Sequence, residues 1–158
     1  MPFAIQHYEN LINEFQVVML QYKDSASVRI ETNKWTLQEM VGHLIDSASN
    51  NHQRFIRLQI SQTIEIPGYN EEEWKNVSDI GRMDYEFLVA FWKSYNVFIL
   101  YIIKNIKDND MKNYWKINNE EKSLNYLVED YFRHMNWHKE LFEKRVEEIK
   151  EFENRNKT

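Results

Sequence analysis

Hydrophobic residues recur at three- and four-residue spacings in four long segments of the chain, and this period predicts four amphipathic helices. The predicted helices cover residues 3–22, 37–60, 85–107 and 124–150. In the first of them the apolar face consists of Tyr8, Leu11, Ile12, Phe15, Val18, Met19 and Tyr22. Helices of this length pack against one another as a bundle, so the pattern predicts an all-α fold of the four-helix-bundle type.

Residues typical of helix N-caps precede three of these helices. Thr36 and Glu39 have the spacing of a capping box, in which each side chain accepts from the other residue's backbone N–H. Asp84 and Ser123 stand directly before the third and fourth helices, where a side-chain oxygen can accept from the free backbone N–H groups. These positions predict where the second, third and fourth helices begin.

The connections between the predicted helices differ in length and character. Residues 61–83 are too many for an ordinary bundle turn, so we expect a crossover that lets the second and third helices run parallel. Residues 108–122 are polar and are predicted to form a loop. No linker divides the chain, which predicts a single domain over 1–150 and a charged tail over 151–158.

Composition supports the helical prediction and excludes several kinds of site. The 158 residues include three Gly and two Pro, too few for the turns of an all-β protein. The chain has no Cys, which excludes disulfides, thiolate metal sites and Cys nucleophiles. Any metal must therefore be bound by nitrogen and oxygen ligands.

Charge and hydropathy argue against nucleic-acid and membrane partners. The formal net charge is -5, and the 20 basic residues are dispersed among 25 acidic ones. The first residues lack the pattern of a signal peptide, and no stretch has the continuous apolar length of a membrane span. We therefore expect a cytoplasmic protein.

Two of the five histidines lie on the apolar face of the fourth predicted helix. At about 100° per residue, His138 falls near the middle of that face, and His134 lies one turn earlier at its edge. This spacing lets one helix present two ring nitrogens to a single ion. His43, at the margin of the apolar face of the second helix, is a third candidate ligand.

Two interpretations of these histidines are open at this point. A single buried His more often has a structural role, with a hydrogen-bond partner in the core. Two imidazoles on one apolar face are costlier to bury, which favours a metal that binds both acceptor nitrogens. His7 has no partner nearby in sequence, and His52 lies on the opposite side of its helix from His43.

Polar residues near these histidines are candidates for supporting or binding roles. Asp130 lies one turn before the His pair and could accept a distal N–H, and Asp46 lies one turn after His43. Both could equally be surface carboxylates. On the polar stripe of the second helix, Asn50 and Arg54 could orient an anionic substrate or the carboxylate of a thiol, since a guanidinium binds carboxylates bidentately.

Two segments carry a resemblance to a known family. The run WTLQEMVGHLIDS over 35–47 resembles the second-helix signature of the DinB/YfiT-like metalloprotein family, which is distinct from the DNA polymerase of similar name. The run DYFRHMNWH over 130–138 resembles the fourth-helix signature of that family. The resemblance covers the whole chain, including the long crossover between the second and third helices.

The resemblance implies an up-down-down-up four-helix bundle and a divalent metal bound by three histidines, which correspond to His43, His134 and His138. Zinc is the first choice, and nickel or iron would accept the same ligands. The resemblance also implies a homodimer. Relatives include transferases or isomerases that use bacillithiol, mycothiol or glutathione, and others are described as metal-dependent hydrolases.

Three function classes follow from these observations. Three imidazoles leave an ion with an open position, which is typical of a catalytic site. The leading hypothesis is a metal-dependent enzyme acting on a small molecule, either a hydrolase or an S-transferase that uses a separate low-molecular-weight thiol. The alternatives are a non-catalytic, stress-related module that binds a metal or a small molecule, and a structural bundle with core histidines, which predicts no metal.

Overall fold

The computed structural model describes residues 3–157 and consists of four long helices with short elements in two of the connections. The helices are α1 (Ile5–Gln21), α2 (Leu37–Ile60), a short α3 (Glu71–Ser78), α4 (Tyr85–Lys104) and α5 (Leu124–Asn156). Three short strands are β1 (Thr63–Ile64), β2 (Tyr114–Ile117) and β3 (Glu120–Ser123). The predicted four-helix bundle is confirmed, with a small three-stranded sheet at one end.

The predicted caps hold the helix starts in place. The Glu39 N–H donates to the Thr36 hydroxyl at 3.2 Å, and the Thr36 N–H donates to the Glu39 carboxylate at 2.9 Å. Asp84 accepts from the N–H three residues further on at 2.7 Å, and Ser123 does the same at 3.2 Å. The helices α2, α4 and α5 therefore begin where the sequence predicts.

Two helix ends differ from the prediction. The third long helix ends at Lys104 and not at residue 107, because the Asn105 N–H turns back to carbonyls within the last turn. The fourth continues to Asn156, so most of the segment 151–158 that was expected to be a tail is helical. That segment contains no Gly or Pro to stop the helix. Of the predicted domain and tail, residues 1, 2 and 158 lie outside the described residues.

Contacts between aromatic residues set the direction of α1 and α5. Tyr8 stacks on Phe132 with ring centroids 3.8 Å apart, and further along both helices Phe15 packs edge-on against Phe142. Because the residue numbers of the two pairs increase together, α1 and α5 run parallel.

The other two long helices run in the opposite direction. The strand β1 follows α2, the strand β2 follows α4, and the two strands pair in parallel at the same end of the bundle. The Tyr85 hydroxyl, at the start of α4, donates to the carbonyl of Met19 near the end of α1 at 3.0 Å. The order is therefore up-down-down-up, with the long crossover between the second and third long helices.

A β-hairpin occupies the connection that was expected to be a polar loop. The strands β2 and β3 pair antiparallel around Asn118 and Asn119, whose φ angles are 48° and 64°. Asn tolerates this left-handed region better than most residues, and a two-residue hairpin turn of this kind requires it. The hairpin buries Trp115 against the end of the bundle.

The helix α4 is long and apolar enough to span a membrane by length and composition alone. In the structure it packs against α1 and α2 and buries nine of its residues in the bundle. Its opposite face exposes a row of aromatic side chains: Phe87, Phe91, Phe98 and Tyr101. We call this row the aromatic face of α4.

The crossover packs tightly on the first half of α2. A Cβ at Gly42 would lie 2.6 Å from a side-chain carbon of Ile80, so only glycine permits this approach. The Gln38 side chain donates to the backbone carbonyls of Ile80, at 2.9 Å, and of Met83. Because the crossover covers α2 here, His43 is buried and not at a solvated margin.

Candidate metal centre

Three histidines from two antiparallel helices meet beneath the crossover. His43 comes from α2, and His134 and His138 come from adjacent turns of α5. The Nε2 atom of His138 lies 3.1 Å from that of His43 and 3.0 Å from that of His134. Nitrogens bound to one tetrahedral zinc ion at 2.0–2.1 Å lie about 3.3 Å apart. These two separations are therefore close to those around a bound divalent ion, and the ligand atoms of all three histidines lie within 4.8 Å of one another.

Burial keeps these imidazoles uncharged at neutral pH. His43 is 4% exposed, and burial, assisted by the neighbouring His134, lowers its pKa to about 4. Burial and the two other histidines lower the pKa of His138 to about 3, although its side chain is only half-buried. Burial also lowers the pKa of His134. Neutral imidazole is the form that binds a metal.

Hydrogen bonding alone does not satisfy this cluster. A neutral imidazole has one N–H, so Nε2 of His138 can donate to only one of the two Nε2 atoms beside it. Within residues 3–157, the buried Nδ1 atoms of His43 and His138 have no hydrogen-bond partner. Leaving buried polar atoms unpaired costs about 1–3 kcal/mol each. A divalent ion would use the three Nε2 lone pairs, which hydrogen bonds within the cluster cannot all satisfy, so the donor set fits zinc, nickel or iron; it would leave the two Nδ1 atoms as N–H donors.

The structure adds an acidic residue that the sequence did not single out. Glu71 is the first residue of α3, directly after the N-cap Asn70, which accepts from the Glu73 N–H at 3.0 Å. The Glu71 carboxylate lies 3.6 Å from Nδ1 of His43, and its side chain is 61% exposed. Glu71 is therefore placed to accept a proton from His43 or from a group bound at the cluster.

The two predicted supporting carboxylates lie near the histidines without hydrogen-bonding to them. Asp130 pairs with Arg133 at 2.8 Å, and its charge acts to raise the pKa of His134. Asp46 is half-buried, and burial raises its pKa to about 6. The Asn50 amide donates to the backbone carbonyl of Asp46 at 2.9 Å, so this side chain is occupied by its own helix.

A cavity of about 250 Å³ opens on one side of the cluster. His43 and His138 form part of its wall, and its other lining residues include Trp35, Met40, Glu71, Trp137 and Leu141. We call it the tryptophan cavity. The Trp35 indole N–H donates to the Glu72 carboxylate at 3.0 Å, and the backbone carbonyl of Trp35 accepts from Arg145. These contacts hold the loop that carries Trp35 in place. The cavity offers an apolar surface beside the ring nitrogens.

A second cavity, of about 200 Å³, lies on the other side, where His134 forms part of its wall. Its other lining residues include Ser47, Asn51, Arg54, Tyr69 and Trp115. We call it the arginine cavity. Arg54 was predicted as a substrate-binding residue and does line it, whereas Asn50 does not and the adjacent Asn51 does. The cluster thus stands between an apolar cavity and a polar one.

The remaining histidines lie apart from this centre. His52 is on the other side of α2, where its Nδ1 lies 2.9 Å from the hydroxyl of Tyr95. His7 is exposed near the start of α1. The position of His52 agrees with the separation from His43 that helical periodicity predicts.

Comparisons with known proteins agree with the fold. No family model and no curated protein sequence matches the chain. Among solved structures, the chain is similar to YfiT from Bacillus subtilis, described as a probable metal-dependent hydrolase with an unusual four-helix bundle topology. The TM-score is 0.76 at 18% sequence identity, and the match covers 92% of this chain and 89% of that one. The likeness confirms the family resemblance at the level of the fold.

Proposed function

We propose that this protein is a metal-dependent hydrolase of a small organic molecule, with a divalent ion bound by His43, His134 and His138. The observation that carries the proposal is the convergence of three neutral imidazoles: Nε2 of His138 lies 3.1 Å from that of His43 and 3.0 Å from that of His134, and the ligand atoms of all three lie within 4.8 Å of one another. The fold shared with YfiT, a probable metal-dependent hydrolase, supports it. Zinc is the ion we expect, with nickel and iron as substitutes.

The chemistry divides between the ion and the residues of the chain. A divalent ion at this site would act as a Lewis acid and lower the pKa of a water molecule bound to it. Glu71 lies on the cavity side of the cluster and can take a proton from a group held there. Trp35 and Trp137 form apolar walls that bind the organic part of a substrate and limit the access of water.

Transfer of a group to a thiol is the second candidate function. Cavities open on both sides of the cluster, which gives room for two molecules and not only for one substrate and a water. Because the chain has no Cys, the thiol would be a separate low-molecular-weight cofactor. Bacillithiol and glutathione carry carboxylates that Arg54 could bind.

The test is hydrolysis of a panel of small esters, amides and phosphoesters with the metal-loaded protein, repeated with the variants Glu71→Gln and Glu73→Gln. We expect Glu71→Gln to keep its metal and to lose about 10²- to 10⁴-fold in kcat, the range typical of a general base. Glu73→Gln, on the same short helix but outside the tryptophan cavity, should behave like the wild type.

Other outcomes separate the alternatives. If metal-dependent turnover requires an added thiol, the protein is an S-transferase and not a hydrolase. A stoichiometric metal with neither activity would favour the non-catalytic binding module. Wild-type kcat in Glu71→Gln would remove Glu71 from the reaction.

Assembly and location stay predictions. We propose a homodimer in which a second copy covers the aromatic face of α4, since this row of side chains is left exposed by the bundle. A cytoplasmic location and the absence of nucleic-acid and membrane partners are likewise proposed from the sequence.

A further inference from the structure

The guanidinium of Arg54 is buried in the arginine cavity without a counter-charge. The residue is 7% exposed, and its guanidinium carbon lies 3.8 Å from the centroid of the Trp115 ring. Its Nη1 donates to the Asn51 side chain at 3.3 Å, and its buried Nε has no partner in the part of the chain that the structure describes. Among those residues no carboxylate forms an ion pair with it.

A buried Arg in this condition is costly unless something pairs with it. Arginine stays protonated in proteins, so Arg54 cannot lower the cost by losing its charge. Fully buried arginines are almost always paired. The Trp115 face stabilises the cation, and Arg54 forms part of the wall of the arginine cavity. Within the described residues, Arg54 therefore lacks the anionic partner that a buried guanidinium needs.

The position of the guanidinium is fixed by its surroundings. The Trp115 indole donates to the carbonyl of Ile66 at 2.9 Å, which anchors the ring that stacks on Arg54. Asn51 in turn donates to the carbonyl of Ser47 at 2.9 Å. A planar donor group held in this way is prepared to bind a carboxylate through two parallel hydrogen bonds.

The charges around the cavity favour a ligand with a single negative charge. Its lining contains two other charged side chains, and each has a partner outside the lining: Lys122 lies 3.7 Å from Glu120, and Asp130 lies 2.8 Å from Arg133. These two ion pairs are neutral, so the one charge that remains is the positive charge of Arg54. A carboxylate neutralises this charge, whereas a phosphate dianion would also meet the Asp130 carboxylate.

We propose that the arginine cavity binds the carboxylate of a small organic acid, which Arg54 holds while the rest of the molecule extends towards His134. The arginine cavity has a volume of about 200 Å³, which suits the carboxylate end of a small organic acid. The identification of this acid as the substrate rests on the proposed function. The binding of a carboxylate by Arg54 does not.

The test uses the full chain without metal and propionate as the probe, at constant ionic strength. Propionate is titrated while the Arg54 side-chain Nε–H resonance is followed by nuclear magnetic resonance, with Arg54→Gln to assign the signal. We expect a saturable shift in the wild type and at least about tenfold weaker binding in Arg54→Gln, measured by the change in tryptophan fluorescence. Arg57→Gln, an exposed position one turn further along α2, should bind like the wild type.

Two further arms make the result decisive. Inorganic phosphate at pH 8 should bind more weakly than propionate, and tighter phosphate binding would overturn the assignment of a carboxylate. Arg54→Lys keeps the positive charge but lacks the planar guanidinium, so this variant should bind propionate with intermediate affinity. It also provides the comparison with the wild type if Arg54→Gln does not fold.

The metal-free design separates this inference from the proposed function. If the wild type binds propionate saturably but takes up no metal, the carboxylate site is supported and the proposed hydrolase activity is contradicted. The absence of a saturable shift in the wild type, or equal affinity in Arg54→Gln, would overturn the anion site and leave the metal centre intact.

Discussion

The burial of an uncharged histidine makes the stability of the metal-free protein depend on pH, and replacing His43 by Leu tests this. His43 titrates near pH 6.5 in an unfolded chain, whereas burial lowers its pKa to about 4 in the folded protein. Between these values the unfolded chain binds a proton at this position and the folded chain does not. The stabilisation is therefore complete above pH 6.5 and is lost progressively as the pH falls towards 4.

The size of the effect follows from the interval between the two pKa values. One pH unit corresponds to about 1.4 kcal/mol, and pH 5 lies about 1.5 units below the unfolded value while still above the folded one. His43 should thus lower the free energy of unfolding by about 2 kcal/mol between pH 7 and pH 5. His43→Leu has a similar volume and no proton to bind, so this part of the pH dependence should disappear.

The assay is urea denaturation of the metal-free protein at pH 7 and pH 5, followed by circular dichroism. Between pH 7 and pH 5, the decrease in the free energy of unfolding should be about 2 kcal/mol smaller for His43→Leu than for the wild type. His7→Leu, which removes an exposed histidine far from the cluster, should keep the wild-type difference. An unchanged pH dependence in His43→Leu would refute the reasoning, because His43 would then not be buried in its neutral form.

Three further predictions concern the site and its surroundings. The variants His43→Ala and His134→Ala should each lose stoichiometric metal binding, measured by equilibrium dialysis, with nearly unchanged helical circular dichroism; binding retained in both would exclude the three-His site. Gly42→Ala should lower the melting temperature, because overpacking costs about 1–3 kcal/mol against a gain of about 1 kcal/mol in helix propensity. Gly81→Ala, where a Cβ meets nothing within 4 Å, should show no such loss. Light scattering should give a dimer mass that Phe91→Glu reduces to a monomer mass, and a monomeric wild type at high micromolar concentration would contradict the dimer.

Local patterns were sufficient to predict most of the helices. The capping box at Thr36 and Glu39 and the caps at Asp84 and Ser123 act within one turn, so their effects can be read from neighbouring residues. The hairpin was missed although Asn118 and Asn119 adjoin a short run rich in β-formers, a signal for a two-residue turn. The polar character of the surrounding segment concealed it.

The candidate site could be predicted only in part. Helical periodicity placed His134 and His138 together, but it could not bring His43 to them, because their contact depends on how α2 and α5 pack. The resemblance to a known family supplied that link. Glu71 and Trp115 were missed because their positions depend on the docking of the crossover and the hairpin, which no local pattern encodes.

The metal content of the purified protein tests the central claim most directly. Protein prepared without an affinity tag or chelator, and then offered zinc, nickel and iron in turn, is analysed by inductively coupled plasma mass spectrometry. We predict one equivalent of metal per chain in the wild type and in His52→Ala, and none in His138→Ala. A wild-type protein that takes up none of these ions, or a His138→Ala variant that keeps a full equivalent, would contradict the metal centre.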